Sequence, residues 1–161
     1  MKIIRLKDIE GTDRDVSFNA GRSVRFILRK DNMGFSLHKT IILKGTKSNW
    51  HYKHHLEACY CVMGKGVITN LENGNSYSIG VDDCYLLDNN DDHTFEALED
   101  VVLISVFNPP VIGDEIHLED GSYKRSDNFK DISKQIVQAV NCSKNNYDAR
   151  EIVANILTIN K

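Results

Sequence analysis

Short β-prone runs separated by turn residues fill the chain between residues 24 and 107. The runs alternate apolar and polar side chains with a period of two, and glycine, asparagine and aspartate divide them. The pattern predicts strands over Val24–Leu28, Ser36–Leu43, Ala58–Met63, Gly66–Thr69, Asn75–Ile79, Cys84–Leu87, Thr94–Leu98 and Val101–Phe107. Asn73-Gly74 predicts a hairpin turn, because both residues tolerate positive φ. Many short strands at this spacing favour an all-β sandwich or small barrel over a parallel α/β sheet.

Residues beyond 122 follow a different pattern, since all ten glycines lie between residues 11 and 121. In this tail the apolar side chains recur at helical spacing, at Phe129, Ile132, Ile136, Val137 and Val140 and again at Ile152, Val153, Ile156 and Leu157. We therefore predict one domain at residues 1–124 and a short helical C-terminal extension at residues 125–161. We expect the extension to pack its apolar stripe on the barrel or on a partner subunit.

Composition and charge exclude several classes of protein. The 161 residues suit a single domain. The formal net charge of −3 gives no excess of positive charge for binding nucleic acid or an anionic membrane. No apolar run is long enough for a membrane-spanning helix, and the opening residues MKIIRLKDIEGTDRD lack the apolar core of a signal peptide. The four cysteines form no CxxC pair. We therefore expect reduced thiols and a cytoplasmic protein that binds neither nucleic acid nor membrane.

The segment from residue 45 to residue 64, GTKSNWHYKHHLEACYCVMG, resembles the first cupin motif, G-x5-H-x-H-x3-E-x6-G. Its fixed positions are occupied in register by Gly45, His51, Glu57 and Gly64, whereas Lys53 stands where the motif has a second histidine. A later segment resembles the second cupin motif with altered spacing, through Gly80, Tyr85, Asp88 and His93. The resemblance implies a cupin, a double-stranded β-barrel of the jelly-roll type that holds a metal ion in its mouth.

Longer strings narrow the resemblance to one family. The strings HYKHHLEACYCVMGKG, YLLDNNDDHTFEA and VFNPPVIGDEIHLEDGSY occur in this order, and IIRLKDIEGTDRDV and DNMGFSLHKT precede them. Together they resemble ectoine synthase over residues 1–123. The resemblance implies a homodimeric carbon–oxygen lyase that binds ferrous iron. Its small-molecule substrate would be N-γ-acetyl-2,4-diaminobutyrate, closed into ectoine with loss of water.

The family's metal ligands fall on Glu57, Tyr85 and His93. Because side chains along a strand alternate between its two faces, each of the three can point into a barrel together with its neighbours of the same parity: Cys59 and Cys61, Leu87, and Phe95. A carboxylate, a phenolate and an imidazole suit ferrous iron, and manganese or zinc are alternatives. Taken singly, the three have simpler interpretations as a barrel-rim charge, a core aromatic residue and a turn residue.

The resemblance also implies the residues that surround the substrate. We assign substrate binding to Arg25, Thr40, Tyr52, Ser105 and Phe107, and catalysis to Glu115, His117, Tyr52 and His55. Arg25 would bind the α-carboxylate through two parallel hydrogen bonds, and Glu115 and His117 would act as general acid and base. The alternatives are that Arg25 lies on the surface and that Glu115 and His117 form a solvated pair. A separate alternative concerns the histidines near the barrel mouth, His51, His54 and His55, of which one or two would be only structural.

Three positions depart from the family. Gly21 stands where family members usually have tryptophan, Ser105 where they have cysteine, and Leu118 where they have an acidic residue. We expect the loss of an aromatic side chain at Gly21 to widen the pocket or to leave it wetter. The departures keep two alternatives open. One is the cyclisation or hydrolysis of a different N-acyl diamino acid or amidine, and the other is a non-catalytic cupin that binds a small ligand.

Overall fold

The structure of the chain is a computed structural model that describes residues 1–113, 115, 117–118 and 121–123. These residues belong to one compact unit. They form two short 3-10 helices, Leu6–Asp8 and Arg29–Asp31, and ten strands. The strands are β1 Asp15–Phe18, β2 Gly21–Ile27, β3 Ser36–Ile42, β4 Lys47–Trp50, β5 Leu56–Met63, β6 Gly66–Asn70, β7 Ser76–Ile79, β8 Cys84–Leu87, β9 His93–Ala97 and β10 Val101–Asn108.

The strands form two antiparallel sheets. The six-stranded sheet has the order β1-β2-β3-β10-β5-β8, and the four-stranded sheet has the order β4-β9-β6-β7. Side chains from both sheets share one buried apolar core, which includes Ile42, Phe95 and Leu103. This arrangement confirms the all-β, double-stranded barrel of the cupin type that the sequence predicts.

All eight predicted strands are present, with ends that differ by at most a few residues. The predicted hairpin joins β6 to β7, and Gly74 lies there at φ +73°. The sequence pattern missed β1 and β4, which are only four residues long, DVSF and KSNW. Their strand structure depends on pairing with β2 and β9, because the context of a sheet overrides weak local preference.

Gly21 begins β2 where the backbone runs against β3. A Cβ atom added at this position would lie 1.9 Å from the backbone oxygen of Ile41, so the site admits no side chain. An aromatic residue at position 21 is therefore incompatible with this backbone.

Within the range that the structure describes, no helix is long and apolar enough to cross a membrane. The predicted helices of residues 125–161 lie outside the described residues. The domain boundary after residue 124 stays a prediction.

Candidate active site

A cavity of about 580 Å³ opens between the inner faces of the two sheets. Because alternate side chains of each strand point inward, β2, β3, β5, β8 and β10 all contribute to its wall. The wall brings together most of the residues predicted from the sequence: Arg25, Thr40, Tyr52, Glu57, Tyr85, Ser105, Phe107, Glu115 and His117. Of the predicted set, His55 and His93 do not line this cavity.

Glu57 of β5 and Tyr85 of β8 line the same cavity, and Tyr85 lies opposite Cys59, two residues beyond Glu57. Glu57 is 8% exposed, and burial raises the pKa of its carboxyl group to about 7. Burial also raises the pKa of the Tyr85 hydroxyl well above its usual value. Among the described residues no cation pairs with Glu57, whose hydrogen-bond donors are the side chains of Cys59 and Ser105. A buried carboxylate without a cation is a costly arrangement, and a bound metal ion would relieve the cost.

His93 begins β9 and is buried. Its Nδ1 lies 3.0 Å from the backbone oxygen of Asp91. Because a carbonyl oxygen can only accept, Nδ1 must hold the proton, and Nε2 keeps a free lone pair. That buried Nε2 has no hydrogen-bond partner in the described part of the chain. Burial lowers the pKa of the ring, so the imidazole is neutral at neutral pH. A neutral imidazole held through its other nitrogen is the usual state of a metal-ligating histidine.

The resemblance implies that His93 shares one cavity with Glu57 and Tyr85, but the structure divides the three residues between two cavities. Its ring centroid lies 6.1 Å from that of Trp50 and 6.3 Å from that of Tyr52, and both of those rings line the main cavity. His93 itself lines a second cavity of about 400 Å³, and Tyr85 lines both cavities. In the described residues, His, Cys, Asp and Glu alone form no cluster of three that could hold a metal ion. A metal site here therefore depends on the phenol oxygen of Tyr85.

Arg25 and Glu115 hold the loop that follows β10. Arg25 is 1% exposed, and its two terminal nitrogens each donate a 2.7 Å hydrogen bond, to the backbone oxygens of Gly113 and Glu115. The Glu115 carboxylate accepts from the backbone N–H groups of Ile112 and Gly113, at 2.6 and 2.7 Å. Both side chains are thus buried rather than on the surface or solvated. Of the Arg25 donors, Nε is the one with no partner among the described residues.

His117 and Tyr52 form a hydrogen-bonded pair in the cavity wall. The Tyr52 hydroxyl lies 3.0 Å from Nε2 of His117. Burial, with a smaller contribution from the Arg25 charge, lowers the pKa of His117 to about 4. Burial raises the pKa of the Tyr52 hydroxyl well above its usual value. At neutral pH the pair therefore consists of a neutral imidazole and a protonated phenol, which can pass a proton between them.

His55 lies behind the cavity wall. Its Nδ1 is 2.7 Å from the backbone oxygen of Pro109, and its ring packs edge-on against Phe107 and Tyr123, each at 6.2 Å between centroids. This placement supports Phe107 from behind. The catalytic role predicted for His55 stays a prediction.

A family model described as ectoine synthase matches residues 1–127. The L-ectoine synthase of Shouchella clausii is 41% identical over 133 residues, which cover 83% of this chain and 99% of that protein. The L-ectoine synthase of Alkalilimnicola ehrlichii is 49% identical over 124 residues, which cover 76% and 94%. The crystal structure of ectoine synthase from P. lautus superposes with a TM-score of 0.68 at 38% identity, over 70% of this chain and 81% of that one.

The chain belongs to the ectoine synthase family. The resemblance drawn from the sequence is thereby confirmed, and the chain is an enzyme of the lyase class.

Part of the aromatic wall of this ectoine synthase family member comes from two strands that the sequence pattern missed. Phe18 of β1 and Trp50 of β4 both line the cavity, 6.0 Å apart between ring centroids. Trp50 stacks on His117 at 5.8 Å and 24°, and Tyr123 lies 4.7 Å from the same imidazole. Aromatic side chains therefore line the cavity although position 21 is glycine. The expectation that the pocket is wider or wetter stays a prediction. The sequence signal that could have found Trp50 is its place directly before His51 of the cupin motif.

A buried thiol lies beside Ser105 on the neighbouring strand. Cys59 of β5 lies directly opposite Ser105 of β10, with 3.3 Å between Sγ and Oγ. Sequence reasoning placed Cys59 on the inward face but gave it no role. Burial raises the pKa of this thiol well above its usual value, so it keeps its proton in the metal-free protein.

Proposed function

We propose that the chain is an ectoine synthase that closes N-γ-acetyl-2,4-diaminobutyrate into ectoine with loss of water. The observation that supports this most directly is that one buried cavity presents a carboxylate–phenol pair, Glu57 and Tyr85, together with a proton-transferring pair, Tyr52 and His117. The first pair suits a metal ion and the second suits acid–base chemistry.

Two steps of the reaction require catalysis, the attack on the amide carbon and the departure of the amide oxygen. The α-amine of the substrate must attack, as the free base, the carbon of an unreactive acetyl amide. The amide oxygen must then leave as water, so that a C=N bond completes the six-membered cyclic amidine. Holding both ends of the chain in one cavity makes the attack intramolecular, which removes much of its entropic barrier.

We propose that Glu57, Tyr85 and His93 hold a divalent metal ion, with ferrous iron as the first candidate and manganese or zinc as alternatives. Two oxygens and one nitrogen are donors that these ions accept, and His93 Nε2 is free to bind. When bound, such an ion polarises an amide carbonyl and stabilises negative charge on its oxygen.

His117 and Tyr52 would transfer the proton. Once the new C–N bond forms, the attacking nitrogen becomes far more acidic, so the neutral imidazole of His117 can accept its proton. An imidazolium with a pKa of about 4 is a strong acid that returns the proton readily to the oxygen. A second N–H proton must follow the same path to the oxygen, so that the C–O bond breaks with release of water and the C=N bond forms. Tyr52, hydrogen-bonded to Nε2, orients the ring and can relay that proton. Because both Glu115 oxygens already accept backbone N–H groups, we assign Glu115 to fixing the loop.

Arg25 holds the same loop through one N–H of each terminal nitrogen, which leaves Nε–H and the second N–H of each terminal nitrogen as donors for the substrate carboxylate. Thr40 and Ser105 offer hydroxyl groups, and Phe107 and Trp50 an apolar surface for the methylene groups. A different N-acyl diamino acid is a second candidate substrate, because Phe18 and Trp50 form the aromatic wall from other strands than the family's usual position 21.

We further propose a cytoplasmic homodimer. The outer face of β5 and β8 exposes a patch of apolar side chains, at Tyr60, Val62 and Leu86. A patch of this kind on a sheet is a candidate for contact with a second copy.

Chromatographic detection of ectoine tests the proposed reaction. Protein purified without oxygen and loaded with Fe(II) is expected to convert N-γ-acetyl-2,4-diaminobutyrate to ectoine. 4-Acetamidobutyrate, which has the same γ-acetyl amide but no α-amine to attack it, serves as the control compound. Loaded protein that leaves the γ-acetyl substrate unchanged but cyclises another N-acyl diamino acid would replace the first candidate with the second.

A further inference from the structure

A chain of four polar side chains crosses the inner face of the six-stranded sheet. Thr40 Oγ1 lies 3.2 Å from Ser105 Oγ, Ser105 Oγ lies 3.3 Å from Cys59 Sγ, and Cys59 Sγ lies 3.2 Å from Oε1 of Glu57. These residues stand on the neighbouring strands β3, β10 and β5. The chain therefore joins the substrate wall at Thr40 to the carboxylate at Glu57.

Cys59 occupies the central place in this chain. It is 1% exposed, and its thiol donates to the Glu57 carboxylate. Tyr85 lies directly opposite Cys59 on the neighbouring strand β8, and its side chain interacts with the thiol. The thiol therefore contacts two of the three proposed metal ligands at once, from within a wall that solvent does not reach.

We propose that Cys59 is a positioning residue that holds the carboxylate of Glu57 and the hydroxyl of Tyr85 in the arrangement that binds the metal ion. Ser105 orients the thiol from the opposite strand. The inference rests on the proposed function, since it concerns the same metal site. Groups that orient metal ligands typically change metal affinity by about 10- to 100-fold when they are removed.

Cys61 provides a matched control. It lies two residues further along β5, faces the same core and is fully buried. Its sulfur contacts the backbone oxygens of Met63 and Gly64 instead of Glu57. Replacing Cys61 with alanine removes the same number of atoms from the same strand but touches neither proposed ligand.

The test is the dissociation constant of Co(II), measured by competition with a chromogenic chelator without oxygen. We expect Cys59→Ala to weaken binding about tenfold or more, Cys61→Ala to weaken it less than about threefold, and Cys59→Ser to recover most of the loss because a hydroxyl can donate to Glu57. Ser105→Ala should lose Co(II) affinity by a factor between those of Cys61→Ala and Cys59→Ala. Equal losses in Cys59→Ala and Cys61→Ala would overturn the proposal, because general loosening of the core would then explain both.

The absorption spectrum of the Co(II) protein gives a second readout. A positioning thiol is not a ligand, so we expect no intense sulfur-to-cobalt charge-transfer band in the native protein. Such a band, absent in Cys59→Ala, would overturn the positioning role and make Cys59 a ligand. If the native protein binds no Co(II), Fe(II), Mn(II) or Zn(II), the metal part of the proposed function fails together with this inference. If the native protein binds Co(II) and the cysteine variants bind it with the same dissociation constant, only the inference fails.

Discussion

The Tyr52 hydroxyl meets Nε2 of His117 at 3.0 Å inside a cavity that these two residues line together. Tyr52 belongs to the segment after β4, and His117 comes 65 residues later, beyond β10. The hydrogen bond therefore links the cupin motif to the loop that Arg25 and Glu115 hold in place.

Removal of the Tyr52 hydroxyl tests this pair. We expect Tyr52→Phe to lower kcat by about 10²-fold, because proton transfer by a positioned group contributes at least that much, while the ring stays in place. His117→Ala should cost a similar factor, and the double variant should cost little more than either single one, since the two act together. Steady-state kinetics of the four proteins measures this. Fully additive losses would contradict a shared role.

Glu115 is expected to affect stability more than chemistry. Glu115→Gln places an amide nitrogen against a backbone N–H, so one buried hydrogen bond is lost at a cost of about 1–3 kcal/mol. We expect kcat, measured well below the lowered Tm, to stay within about tenfold of the native value. A loss of kcat as large as that of His117→Ala, with unchanged Tm, would restore Glu115 to proton transfer.

The buried carboxyl of Glu57 makes the stability of the metal-free protein depend on pH. Its pKa rises from an ordinary value of 4.5 to about 7 on folding. A carboxyl with a raised folded pKa contributes stability that is fully present below the unfolded pKa and is lost as pH rises through the folded pKa, here between about pH 4.5 and 7. The size of this loss is about 3 kcal/mol.

The neutral, buried histidines act in the opposite direction, because their lowered pKa values cost stability as pH falls. Chemical denaturation of metal-free native protein and Glu57→Gln at pH 5.5 and 8.5 separates the two effects. We expect Glu57→Gln to gain stability relative to the native protein as pH rises. A difference between the two proteins that does not change with pH would contradict the raised pKa.

Trp50 provides an optical probe of the cavity, because it is the one tryptophan in the sequence, is 7% exposed and lines the wall. We expect a saturable change in its fluorescence when ectoine is added, with the same midpoint as the inhibition of turnover by ectoine. Trp50→Phe should lack the signal. No change at ectoine concentrations that inhibit turnover would place the binding site elsewhere.

Much of the site could be predicted from the alternation of side chains together with the resemblance to the family. Period two predicts which side chains of β5, β8 and β10 share a face, and the resemblance directs the face of Glu57, Tyr85 and Phe107 inward, where the structure places all three in the cavity wall. The motif spacing and the longer strings then indicated which of the inward residues matter.

Other parts of the site depend on contacts that no local pattern contains. Trp50 and Phe18 lie at the ends of four-residue strands whose structure depends on pairing. Arg25 donates to the backbone of Gly113, 88 residues away, so its terminal nitrogens are partly occupied in a way that the sequence could not indicate. The steric exclusion at Gly21 likewise arises only when β2 packs against β3.

Metal-dependent turnover tests the proposed function most directly. Protein stripped of metal should form no ectoine from N-γ-acetyl-2,4-diaminobutyrate, and addition of Fe(II) without oxygen should restore its formation. Tyr85→Phe, which keeps the ring but removes the proposed ligand oxygen, should stay inactive at the same Fe(II) concentration and show weaker metal binding. Ectoine formation that survives thorough metal removal, or that Tyr85→Phe retains at the native rate, would contradict a metal centre at Glu57, Tyr85 and His93.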